Sequence, residues 1–115
     1  MATKTLGGRK LGVTSSHKRA LLRNMAASLF LHEKIETTNA KAKELRPYAE
    51  KIITHAKAGK HFMVRRVISD KAVYKKLFEV LAPRYAQRPG GYCRINHLAP
   101  RSGDQAQRSL ISLLS

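Results

Sequence analysis

Between about residue 16 and residue 32 the apolar side chains Leu22, Met25, Ala26, Leu29 and Phe30 recur in steps of three and four, which lays them along one side of an α-helix. Lys18, Arg19 and Arg23 fall largely off that stripe. Residues 34–38 are short and β-branched, fitting a strand, and helical spacing returns over residues 40–58, up to Gly59, a residue type that stops helices. Pro47 interrupts this second helix. A proline inside a helix removes a backbone donor and costs about 3 kcal/mol, so a bend or split is expected near Arg46, with Tyr48, Ile52, Ile53 and Ala56 packing beyond it.

Two shorter helices are expected over residues 61–68 and 71–81, with Val64, Val67, Ile68, Val73, Leu77, Phe78 and Leu81 as core residues and Pro83 ending the second. The period then changes to that of strands. Residues 92–98 and 107–114, joined by the turn-rich stretch 99–104, read as a C-terminal antiparallel hairpin. Together with residues 34–38 they form a small sheet covered by helices on one face, a two-layer α+β fold.

Residues 1–14 follow neither period and hold Gly7, Gly8 and Gly12 among cations, the pattern of a basic extension that orders only on a partner. The expected organisation is therefore a basic extension at 1–14 and a single α+β domain at 15–115. A chain of 115 residues supports one modest core, burying roughly 70% or slightly less of its unfolded surface. A lone cysteine, Cys93, excludes an internal disulfide. The start lacks the apolar stretch of a secretory signal and no apolar run is long enough to span a bilayer, so a cytoplasmic protein is expected. The basic, acid-free residues 1–32 also match the composition of an organelle transit peptide.

Charge changes the picture most. The formal net charge is +16, against the roughly 2 to 8 that suits a small soluble domain. No acid precedes Glu33, and residues 58–88 set only Asp70 and Glu79 against their cations. Like charge at this density opposes compaction unless a polyanion lies close by. Cations also crowd the expected helix starts, where partial positive charge favours acids. Lys18 and Arg19 follow a Ser15 or Ser16 cap, Lys41 and Lys43 follow an Asn39 cap, and Lys71 follows Asp70. These starts are candidate phosphate cradles.

Candidate catalytic chemistry is thin. Cys93 and His97 on one strand stand about 13 Å apart at 3.3 Å per residue, too far for a thiol–imidazole pair. The five histidines have no paired ligand spacing, which argues against a metal site; with the acids equally dispersed, no catalysis is expected, and no cofactor or small-molecule substrate. Glu33 and Glu36, with Lys34 beside them, read as ordinary surface ion-pairing groups and not as a general acid and base. Arg88, Gly90, Gly91, Tyr92 and Arg94 make a better constellation, with Tyr92 as the candidate base stacker and the arginines forking onto phosphates.

These residues resemble a known family, the bacterial large-subunit ribosomal proteins called L-seventeen. The similarity runs through Gly8-Arg9-Lys10-Leu11, Ser15-Ser16-His17, Arg23-Asn24, Ile35, Thr37-Thr38, Lys41-Ala42-Lys43-Glu44-Leu45-Arg46 and Glu50. It continues through Arg65-Arg66, Leu77-Phe78, Pro83-Arg84-Tyr85, Arg88, Gly90-Gly91-Tyr92, Arg94-Ile95 and Gly103-Asp104, covering nearly the whole chain. Val13, Pro47, Cys93 and Gln107 depart from the family pattern. The resemblance implies a non-catalytic constituent of the large ribosomal subunit, bound to its 23S-type ribosomal RNA near the peptide exit tunnel and beside neighbouring large-subunit proteins. It also implies that the basic N-terminus belongs to the mature protein.

The expected RNA-binding residues are Arg9, Lys10, His17, Lys18, Arg19 and Arg23 on the extension and first helix, then Lys41, Lys43 and Arg46 on the second. Arg65, Arg66, Arg84, Arg88, Tyr92, Arg94 and Arg101 complete the set. The alternative is a nucleoid-type DNA-binding protein, which the charge permits but the irregular spacing of cations does not suggest. A membrane-surface helix at 16–32 is disfavoured by its alanine-rich apolar face and the absence of tryptophan.

Overall fold

A computed structural model describes residues 15–99 and 107–115. The first helix, α1 (Ser15–His32), buries Leu22, Ala26, Leu29 and Phe30, the stripe that the sequence pattern marks. Strand β1 (Lys34–Thr38) leads into α2 (Asn39–Lys57), which buries Ala42, Leu45, Ala49, Ile52, Ile53 and Ala56. Short helices α3 (His61–Arg65) and α4 (Lys71–Lys76) follow, then a π-helical turn at Leu77–Leu81 and a last turn, α5 (Ala82–Arg84). Strands β2 (Cys93–Leu98) and β3 (Arg108–Leu113) close the order.

The sheet runs β1-β3-β2, antiparallel throughout, so the strand latest in the chain lies in the middle. β3 alternates strictly, with Ser109, Ile111 and Leu113 turned inward. Ile111 stands opposite Ile35 on one side and Ile95 on the other, a row of β-branched side chains under the helices. One continuous core joins this row to α1, α2 and the residues from Val64 to Tyr92. The expected α+β architecture, with helices over one face of a small sheet and a C-terminal antiparallel pair, is what the described residues form.

Local expectations are narrowed at Pro47 and fail at Pro83 and Asn39, each for a physical reason. Pro47 does not split α2: the residue is exposed, while the inward face on both sides of it is anchored in the same core. Pro83 does not end the helical segment at Leu81. The Ala82 N–H reaches back to the Leu77 carbonyl, a wider i→i−5 turn, and Pro83 then sits at the start of the final turn, where a missing donor is tolerated. Thr38 rather than Asn39 caps α2, accepting from the Lys41 N–H at 3.4 Å. Asn39 is occupied elsewhere, its side-chain oxygen accepting from the buried Ser109 hydroxyl at 3.0 Å. Gly59 stops α2 as expected. At φ +74 it forms a double cap, Gly59 N–H to Ala56 and Lys60 N–H to His55, both at 3.0 Å.

Glu33 is the joint between the helical and sheet layers. It takes a left-handed conformation, φ 68, and its N–H bonds Leu29 at 2.7 Å while its carbonyl accepts from Leu113 at 2.8 Å. Its carboxylate receives a forked pair of bonds from Arg84, at 2.8 and 3.2 Å, and a salt bridge from Lys76 at 2.9 Å. Lys76 also donates to the Leu31 carbonyl at the end of α1. The Arg84 and Lys76 hydrogen bonds together hold the Glu33 carboxyl down at about 2, against 4.5 unperturbed.

The depressed value means that the contribution is complete above pH 4.5 and is lost as pH falls toward 2. With about a third of the side chain in solvent, screening limits it to about 1–2 kcal/mol. Glu33→Gln keeps the backbone cost of the left-handed conformation and the side-chain size, and removes only the charge. Its unfolding free energy should be lower by that amount at pH 7 and should converge on the parent between pH 4.5 and 2. Parallel stability curves across that window would assign the acid sensitivity to other groups.

Candidate nucleic-acid interface

The carboxylates of the described residues are mostly committed to structure. Glu44 pairs with Lys18 at 3.1 Å, Glu36 with Arg108, and Glu33 with Arg84 and Lys76. Glu50 meets Arg46 at 3.6 Å and accepts the Cys93 N–H at 3.2 Å, tying α2 to β2. Asp70 caps α4 by accepting from Ala72 and Val73 at 2.8 and 3.3 Å. No carboxylate among the described residues pairs with Arg19, Arg23, Lys43, Lys51, Arg65, Arg66 or Arg94, all of them exposed. The surface is cationic because Lys and Arg outnumber Asp and Glu by 23 to 7 and the acids that the chain does carry are mostly engaged by caps and ion pairs.

The expected RNA-binding residues separate into groups. Arg9, Lys10 and Arg101 lie outside the described residues. His17, Arg19 and Arg23 are exposed on α1, Lys43 and Arg46 on α2, and Arg65, Arg66 and Arg94 further along, while Lys41 is half-buried. Arg65 lies over the Tyr74 ring at 5.5 Å and Arg66 over Phe62 at 5.6 Å, leaving planar guanidinium groups at the surface. Arg88 donates to the Gly91 carbonyl at 3.2 Å, bracing a turn in which Gly91 has φ 67. Arg84 is half spent on Glu33.

Two expected residues are corrected. Lys18 is 2% exposed and packs inward against Glu44, so it stabilises the α1–α2 contact and does not face a ligand. Tyr92 is 1% exposed, its ring 5.0 Å from that of Tyr85, which excludes it as a base stacker. Lys57 donates to the Tyr92 hydroxyl at 2.8 Å and lies over its ring at 4.9 Å. Burial raises the Tyr92 pKa, but the hydrogen bonds with Lys57 and Thr54 outweigh it and leave the phenol below its usual range. The start of α4 is corrected too: the Asp70 carboxylate already occupies the position a phosphate would take.

Among the described residues the candidate catalytic groups do not form a working arrangement. Cys93 is buried, and burial pushes its thiol up to about 12, which leaves it an inert core residue. Ser109, His97 and Asn39 do meet, with Ser109 Oγ 3.3 Å from His97 Nδ1. The serine is fully buried and Asn39 contacts the serine, not the imidazole, so nucleophile exposure and base orientation are both missing. Among the described residues no group of three or more His, Cys, Asp or Glu is placed to hold a metal, and no helix is long and apolar enough to cross a membrane.

The sequence reading missed one feature. A cleft of about 330 Å³ opens between α1, α2 and the α3 turn, lined by Arg23, Tyr48, Lys51, His55, Met63 and Arg66 over Ile52 and Val67. Tyr48, Lys51 and His55 recur at i, i+3 and i+7, so their shared face on α2 was legible in the spacing. That Arg23 and Arg66 close the same cleft depends on tertiary packing.

Comparison with known proteins gives one consistent answer. The family described as "Ribosomal protein L17" matches residues 21–114. The "Large ribosomal subunit protein bL17" of Elusimicrobium minutum is 52% identical over 111 residues, covering 96% of this chain and 97% of its own. That of Endomicrobium trichonymphae is 49% identical over 115 residues, covering 97% and 98%, and that of Halothermothrix orenii 51% over 109 residues, covering 92% and 96%. Matched from α1 to the residue after β3, the chain belongs to the ribosomal protein L17 family, whose members are structural and non-enzymatic components of the ribosome.

Proposed function

We propose that this protein binds the long RNA of the large ribosomal subunit, on its outer side near the peptide exit tunnel, and acts as a structural clamp on phosphates. The observation that carries the reading is the one-sided pairing: most carboxylates of the described residues are held by caps and ion pairs, while no carboxylate among them pairs with the exposed Arg19, Arg23, Lys43, Lys51, Arg65, Arg66 and Arg94. Exposed cations on a rigid scaffold neutralise phosphates and release counterions, which supplies affinity without base readout. The extension at residues 1–14, with Arg9 and Lys10, adds a second grip that engages the RNA beyond the globular body.

Competition binding tests the partner. Deproteinised large-subunit RNA should displace the protein from duplex DNA, and crosslinking within intact ribosomes should attach α1 and the extension to that RNA. Equal competition by duplex DNA would favour a nucleoid-type DNA-binding role instead.

A further inference from the structure

We propose that the cleft between α1, α2 and the α3 turn receives a single unstacked nucleotide of the RNA, with the base against Tyr48 and the flanking phosphates against Arg23, Lys51 and Arg66. This inference rests on the RNA-binding reading above and adds a recognition element to a surface otherwise limited to phosphate contacts.

Three observations converge on it. The lining is amphipathic in the sense that a nucleotide needs, with an apolar floor of Ile52, Met63 and Val67 and the Tyr48 ring beside it. The mouth carries Arg23, Lys51, His55 and Arg66, and no acid lines it, so its charge complements a phosphate chain. A cavity of about 330 Å³ falls at the small end of the roughly 300–1,000 Å³ typical of ligand sites. A duplex keeps its bases inside the helix and cannot enter such a space; an extruded base can, and unpaired bases stack on aromatic rings and arginine planes. Arg66, positioned over Phe62 at 5.6 Å, presents such a plane beside the cleft.

Salt titrations of binding to deproteinised large-subunit ribosomal RNA separate the two parts of the proposal. Tyr48→Leu keeps an apolar side chain but removes the ring. It should weaken binding by about 5- to 150-fold, the range of one base–aromatic stack, with the salt slope unchanged. Tyr48→Phe should bind like the parent. Lys51→Gln should flatten the slope by about 0.7 to 0.9, one phosphate contact. A photoreactive benzoyl-phenylalanine at position 48 of the full chain, assembled into ribosomes, should crosslink to one or two unpaired nucleotides.

Parental affinity of a folded Tyr48→Leu protein would overturn the proposal. So would crosslinks to paired nucleotides, or to a neighbouring protein segment. Failure of the parent protein to bind the RNA at all would remove the underlying reading as well, and is told apart by that control. If Tyr48→Leu melts early, the crosslinked nucleotides decide the matter.

Discussion

Changing Arg9, Lys10, Arg19, Arg23 and Lys43 together to glutamine should flatten the salt dependence of RNA binding by about 3.5 to 4.5 units of slope, if each cation meets one phosphate. Between 50 and 200 mM salt, a term of that size changes affinity by about 10² to 10³. The fold should survive the change. Arg19, Arg23 and Lys43 are exposed and have no carboxylate partner among the described residues. Lys18 is deliberately left in place, because removing it would leave Glu44 nearly buried without its partner cation and confuse loss of binding with loss of stability. An unaltered slope in the quintuple variant would show that these side chains do not touch phosphate and would refute the clamp.

The second large effect is on folding. Tyr92→Ala should lower the unfolding free energy by about 3–5 kcal/mol, the usual penalty for deleting a fully buried aromatic ring. That is a large share of the roughly 5–15 kcal/mol available to a domain of this kind. The ring fills the space between α2 and the turn before β2, packs on Tyr85 at 5.0 Å and carries Lys57 over its face. Tyr92→Phe keeps the packing and loses only the hydroxyl contacts to Lys57 and Thr54, so about 1 kcal/mol is expected. Denaturant unfolding of both variants checks this. A Tyr92→Ala protein that unfolds normally but binds RNA poorly would return the residue to the interface.

Much of this architecture can be read directly from residue order. The α1 stripe, the strand at 34–38, the stop at Gly59 and the C-terminal pair of strands all rest on local signals: a period, a β-branched run, a residue free to take positive φ. The misreadings share one cause. Lys18 looks like surface charge until Glu44, on another helix, accounts for it. Tyr92 looks like an exposed stacker because Gly90 and Gly91 precede it and arginines flank it, yet its surroundings are set by Tyr85, Thr54 and Lys57, distant in sequence. Glu33 is expected to pair locally, beside Lys34, but its partners Lys76 and Arg84 come from α4 and α5, far along the chain.

The prolines teach the complementary lesson. Pro47 and Pro83 each lack a backbone donor, which is all that local sequence shows. What the sequence window leaves out is the compensation: a shared core on both sides of Pro47, and a widened π turn ahead of Pro83. The candidate interface divides the same way. Charge sign and excess are legible in composition, whereas the cleft at Tyr48 requires α1 and the α3 turn to meet across α2.

The position of β3 between the other two strands has a consequence for biosynthesis. β1 and β2 pair only with β3, never with each other, so a nascent chain that has not yet released residues 108–113 carries two strands with no hydrogen-bonding neighbour. The helices can collapse early through contacts close in sequence, while the sheet must wait for its keystone. Until then, the protein's vulnerable state is the half-made one, with open strand edges that invite association with other chains.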